Sequence, residues 1–113
     1  MARDGMVLLT GASGFVGSAV ARRLRAAGFP VRALVRTTSP VAHLSDLGLD
    51  FVTGDLRDAD SVRRAMAGIR YLFHVAADYR LWARNPDELT QTNVAGTRLL
   101  MQEAMRAGVE RVV

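Results

Sequence analysis

"MVLLTGASGFVG", residues 6–17, is the stretch on which the fold of this chain turns. Its first five residues form a mostly apolar run between glycines, the pattern of a strand buried on both faces. Gly11, Gly14 and Gly17 then recur at every third residue, and a helical period begins beyond them. Glycine loses more backbone freedom on folding than any other residue. Three of them at one junction therefore need a cause. Either the backbone turns sharply there, or something comes close to it.

Working outward, Val16, Val20, Leu24 and Ala27 fall on one helical stripe, and Gly28 is a natural stop. "VRALV" (31–35) reads as a second strand. Ser39 followed by Pro40 reads as an N-cap and first-turn proline, which predicts a short helix ending near Gly48. "DFVTG" (50–54) is a third strand. Asp58 then caps a helix that turns Val62, Ala65 and Met66 inward and closes at Gly68. "YLFHVAA" (71–77) is a fourth strand, followed by the loop "DYRLWAR". Asn85, Pro86 and Glu88 have the pattern of a capped helix start; that helix should run to about Ala107, with Gly108 as its stop. "ERVV" (110–113) begins a fifth strand. Such alternation predicts an α/β domain over residues 1–113, with a doubly wound parallel sheet, right-handed crossovers and helices on both faces.

Composition narrows the classes of function. The chain has 113 residues, 50% hydrophobic and 23% charged, which suits one globular domain. It has no cysteine, which excludes a disulfide framework and thiolate chemistry and fits a reducing cytoplasm. No apolar run reaches the length of a membrane span, and the N-terminus lacks a signal-peptide pattern. The net charge of +4 comes from scattered arginines without interleaved aromatics, so no nucleic-acid partner is expected. His43 and His74 are the only histidines and have no ligand-like spacing, so no metal is expected. His74, inside the apolar fourth strand, reads as a buried, hydrogen-bonded histidine.

In this setting the glycines acquire roles. They lie at the carboxyl end of a strand in a doubly wound sheet, where ligands bind. The first glycine permits a tight turn, the second lets a pyrophosphate approach the backbone, and the third lets the helix pack closely on the strand. The amides around Phe15 and Val16 are donors at the positive end of a helix dipole, and Thr10 and Ser13 could add hydroxyl contacts. Arg36 follows the second strand about twenty residues past the glycines. An acid there would bind the ribose hydroxyls of NAD(H), whereas an arginine suits the 2′-phosphate of NADP(H). Asp55, in "GDLRD" (54–58), ends the third strand, where its carboxylate could accept from an adenine amino group.

"TGASGFVG", "ALVR", "GDLRD", "LFHVAA" and "TNVAGT", in this order and spacing, resemble the extended short-chain dehydrogenase/reductase (NAD-dependent epimerase/dehydratase) family. "HVAADYRLWARNPDEL" is most similar to its dihydroflavonol-reductase-like branch, and within that to hopanoid-associated sugar epimerases. The resemblance implies a Rossmann-type sheet of order 3-2-1-4-5. It places Gly11, Ser13, Gly14, Phe15, Val16 and Gly17 at the pyrophosphate, and Arg36 at the 2′-phosphate. Asp55 and Leu56 would flank adenine, and Val75, Ala76 and Ala77 would run along the ribose and nicotinamide. Asn93 would tie strands together beneath the active site, and Tyr79 and Trp82 would begin a substrate-facing loop.

The chain departs from the family in its chemistry. A Ser and a Tyr-x-x-x-Lys pair carry the family's proton transfer. Here neither Tyr71 nor Tyr79 is followed by lysine four residues on, and all 15 basic residues are arginine. The resemblance therefore implies the NADP(H)-binding part of an oxidoreductase or sugar epimerase acting at a carbinol or carbonyl carbon. The fifth strand would be truncated, the catalytic pair and substrate lobe would lie beyond Val113, and the chain alone would be inactive. Self-association through the truncated sheet edge is a further expectation. A non-catalytic dinucleotide sensor of the same fold stays open as an alternative class.

Overall fold

The computed structural model describes residues 5–75 and 86–113, with side chains in the second stretch from Val94 onward. The parallel sheet is built from β1 (Met6–Thr10), β2 (Val31–Val35), β3 (Asp50–Thr53), β4 (Ile69–His74) and β5 (Arg111–Val112). Their order is β3-β2-β1-β4-β5, as expected. β1 sits at the centre, with Val7 opposite Val31 on one side and Tyr71 on the other. Among the described residues three α-helices connect the strands: α1 (Phe15–Ala26), α2 (Ala59–Met66) and α3 (Pro86–Ala107).

Alternation along the strands divides the core between two faces. Val7 and Leu9 of β1, with Val31 and Ala33 of β2, pack with Ala21 of α1. Leu8 and Leu34 point the other way, to Val62 and Met66 of α2 and to Leu100 and Ala104 of α3. Pairing of β1 with β4 slips between Met6 and Val7, leaving Arg70 as the extra residue. Ile69 and Leu72 consequently reach the same core although three positions separate them. Asp58 caps α2 as expected, its carboxylate accepting from the Asp60 N–H at 3.1 Å.

Three local expectations are corrected. The stripe expected on α1 holds at its middle and fails at its ends: Val20 and Leu24 pack against the core, Val16 and Ala27 are exposed, and the buried positions are Gly17 and Ala21. The most deeply buried residues of α1 are thus its small ones, which a count of large apolar side chains cannot detect. The helix expected after Ser39 is only one 3₁₀ turn, Ala42–Leu44. Ser39 instead closes a turn: Arg36 N–H donates to its hydroxyl at 3.1 Å, and its own N–H donates to the Arg36 carbonyl at 3.0 Å. The nearby carbonyls of His43 and Leu47 accept from Arg22 and Arg25 of α1 at 2.9 and 2.8 Å, which fastens this connection to α1. Finally, β4 begins two residues earlier than expected, at Ile69, and ends at His74. The expected cap at Asn85 lies outside the described residues.

Candidate cofactor site

The glycine turn shows three different constraints. Gly11 has φ +78, a left-handed conformation that side chains disfavour. At Gly17 an added Cβ would come within 1.7 Å of the Gly11 carbonyl oxygen, so α1 packs there through bare backbone. Gly14 has neither constraint. Its φ is −80, and among the described residues an added Cβ would meet only the Gly11 oxygen, at an ordinary 3.5 Å. The described residues do not demand glycine at position 14.

Gly14 is the N-cap of α1. It provides no side-chain cap, and no acidic residue stands in the first turn. The first amides of α1 are left as donors at the positive end of the helix dipole, with no carboxylate in their own turn competing for them. Phe15 is 94% exposed and Val16 60%, an unusual amount of apolar surface beside an uncapped helix end. Ser13 is half-buried in the same turn.

Thr10 does not serve as expected. Its hydroxyl oxygen is buried between strands, accepting from the Val75 N–H at 3.1 Å and lying 2.8 Å from His74 Nδ1. His74 Nε2 lies 3.0 Å from the Thr97 hydroxyl of α3. This bears out the reading of His74 as a hydrogen-bonded histidine and reveals a connection that sequence spacing did not suggest.

Burial holds the His74 imidazole below its ordinary value of 6.5. The unfolded chain therefore takes up the proton first as pH falls. Stability is expected to be complete above about pH 6.5, to decline below it, and to level off once the folded imidazole is also protonated. Urea denaturation across the acid range would test this; a His74→Gln chain should lack this component.

Arg36 and Asp55 stand at the ends of neighbouring strands. The exposed Arg36 guanidinium makes no hydrogen bond or ion pair with the described residues. Asp55 is bound by Arg57, whose Nη2 donates to Oδ2 at 2.8 Å and whose backbone N–H donates to Oδ1 at 2.8 Å. Those bonds pull the Asp55 carboxyl down to about 2, with smaller help from the charge of Arg36. The turn is braced by Ser61, which sequence reasoning missed: its buried hydroxyl accepts from Asp55 N–H at 3.0 Å and lies 2.9 Å from the Asp55 carbonyl. Gly54 makes room for this brace, since an added Cβ would lie 2.9 Å from Ser61. A serine three residues past the Asp58 helix cap was the available signal.

Leu56 packs partly into the core against α3, near Gly96. Val75 stands at the end of β4, bonded to Thr10. Ala76, Ala77, Tyr79 and Trp82 lie outside the described residues, as does the side chain of Asn93 within α3. Among the described residues no cluster of His, Asp or Glu could hold a metal, and no helix is long and apolar enough to cross a membrane. The structure thus brings residues 11–17, Arg36, Asp55 and Val75 to the same carboxyl end of the sheet.

The family model of the NAD dependent epimerase/dehydratase family matches residues 7–113. The chain belongs to that family. A Methylococcus capsulatus relative, Sterol demethylase protein B, is 48% identical over 106 residues, covering 94% of this chain and 32% of the relative. A Synechocystis relative whose name places it among dihydroflavonol 4-reductases is 46% identical over 105 residues, covering 93% of this chain and 30% of its own length. Among solved structures, a short-chain dehydrogenase/reductase superfamily protein from Agrobacterium tumefaciens with bound NAD superposes with TM-score 0.78 at 36% identity. That match covers 95% of this chain and 31% of the other. The epimerase/dehydratase chain described here spans about a third of the length of these relatives. Its family is one of NAD(P)-dependent oxidoreductases and epimerases, and its fold is the family's Rossmann-type sheet.

Proposed function

We propose that this chain is the cofactor-binding portion of an NADP(H)-dependent reductase or epimerase, with the dinucleotide lying across the turn at residues 11–17. The observation that carries the reading is Gly14. The turn requires Gly11 and the packing requires Gly17, but nothing among the described residues requires a bare backbone at position 14. Close approach of a pyrophosphate gives the reason. Ser13 and the amides of Phe15 and Val16 would complete its cradle, Asp55 and Leu56 would border adenine, and Val75 would border the ribose. Adenine would share Asp55 with Arg57.

Bound dinucleotide would supply a hydride acceptor or donor for a carbinol or carbonyl carbon of a small-molecule substrate. The residues of this chain bind and orient. The family's proton-transferring Ser and Tyr-x-x-x-Lys would come from residues outside this sequence.

The choice of NADP(H) rests on Arg36. The turn at residues 36–39 uses its backbone, while its guanidinium is left for a ligand. A charge-assisted bond to phosphate contributes about 1.5–3 kcal/mol, so NADPH is expected to bind about 10- to 150-fold more tightly than NADH. Calorimetric titration of both cofactors tests this, and Arg36→Ala should remove the preference. Equal affinities in the parent chain would overturn the NADP(H) assignment while leaving the dinucleotide site intact.

A further inference from the structure

The hydrogen-bonded chain through His74 joins three elements at the carboxyl end of the sheet. Thr10 is the last residue of β1 and directly precedes Gly11. Val75, whose N–H binds the Thr10 hydroxyl, follows β4. Thr97 lies on α3, one helical turn past Asn93. We propose that His74 is a positioning residue which, protonated on Nε2, ties the glycine turn to α3 through Thr10 and Thr97, so that α3 and the dinucleotide loop hold one another in place. This deepens the dinucleotide reading above and rests on it.

The direction of the bonds follows from the donors. The Val75 N–H can only donate, so the Thr10 oxygen accepts from it. A hydroxyl that accepts becomes a stronger donor, and His74 Nδ1 lies 2.8 Å away. With Thr10 donating to Nδ1, the neutral ring carries its proton on Nε2, 3.0 Å from Thr97 Oγ1. Thr97 then accepts, which leaves its own proton for a carbonyl one turn back, the usual habit of a threonine within a helix. Burial favours the neutral ring that this arrangement needs. These bonds run in one direction, from β4 through β1 and back across β4 to α3.

The test is nitrogen NMR of the His74 ring in the 113-residue chain, alone and with NADPH, together with NADPH titrations of Thr97→Val and Thr97→Ser. In the free chain Nδ1 should have the shift of an unprotonated nitrogen and Nε2 that of a protonated one. Both should move when NADPH is added. Thr97→Val should weaken NADPH binding about five-fold, the loss of one hydrogen bond, and Thr97→Ser should restore it. Amide spectra would establish that each variant is folded. A ring protonated on Nδ1, or a folded Thr97→Val chain with parental affinity, would overturn the proposal. If the Phe15 and Val16 amides do not respond to NADPH, the dinucleotide reading fails and the coupling fails with it. The tautomer, measured in the free chain, would still report separately on the bonds.

Discussion

Gly17→Ala is expected to destabilise the chain by about 3 kcal/mol or more, the upper range for overpacking a well-filled interior. Alanine is the better helix former by about 1 kcal/mol, so propensity alone predicts the opposite sign. Geometry decides. The new methyl carbon would sit 1.7 Å from the Gly11 oxygen and 2.4 Å from its carbonyl carbon. Neither is the movable end of a side chain. Relief requires α1 to withdraw from the sheet, and Ala21, one turn on and fully buried, would withdraw with it. Domains of this kind have only about 5–15 kcal/mol of stability in total. A clear fall in the urea midpoint is therefore expected, and an unchanged midpoint would mean that the helix accommodates the methyl by a small shift.

The same packing explains which parts of the molecule could be read from sequence. β1 declared itself because its residues are buried on both faces, and β1's glycine-rich sequel marked the turn. α2 declared itself through the Asp58 cap and the inward side chains Val62, Ala65 and Met66. The contact face of α1 was legible only in part, because hydrophobic periodicity registers Val20 and Leu24, which pack against the core, but not Gly17 and Ala21, the residues the helix buries most deeply. The short helix after Ser39 was misread for a related reason. Local capping signals predicted it, but Arg22 and Arg25, some twenty residues earlier, hold the carbonyls of that segment.

Around the candidate site, what was legible in sequence was placement along the chain: the glycines where β1 turns into α1, and Arg36 directly after β2. The fate of the Thr10 hydroxyl depends on Val75, 65 residues away, and only the folded sheet brings them together. The pairing of Arg57 with Asp55 was close in sequence, but "GDLRD" alone does not reveal that the arginine folds back onto the carboxylate.

Gly14→Val is expected to leave the fold nearly intact and to remove measurable dinucleotide binding, a loss of at least about a hundredfold if the pyrophosphate approaches the backbone there. The two halves of this expectation have separate causes. The fold is expected to tolerate a Cβ at position 14 because φ is −80 and the nearest non-neighbouring atom among the described residues would be at 3.5 Å. Valine suits the extended conformation of this N-cap, and no capping hydrogen bond is lost because glycine supplies none. Binding does not tolerate it, because the branched side chain would stand in front of the uncapped first turn of α1, between the amides and any anion they receive. Circular dichroism and a urea melt would measure the first half, and NADPH titration the second. The comparison with Gly17→Ala separates the two purposes of the glycine motif: at Gly17 stability should fall first, whereas at Gly14 affinity should fall while stability remains. A folded Gly14→Val chain that bound NADPH as the parent does would show that no ligand approaches the backbone at this position, and the dinucleotide would have to be placed elsewhere on the sheet.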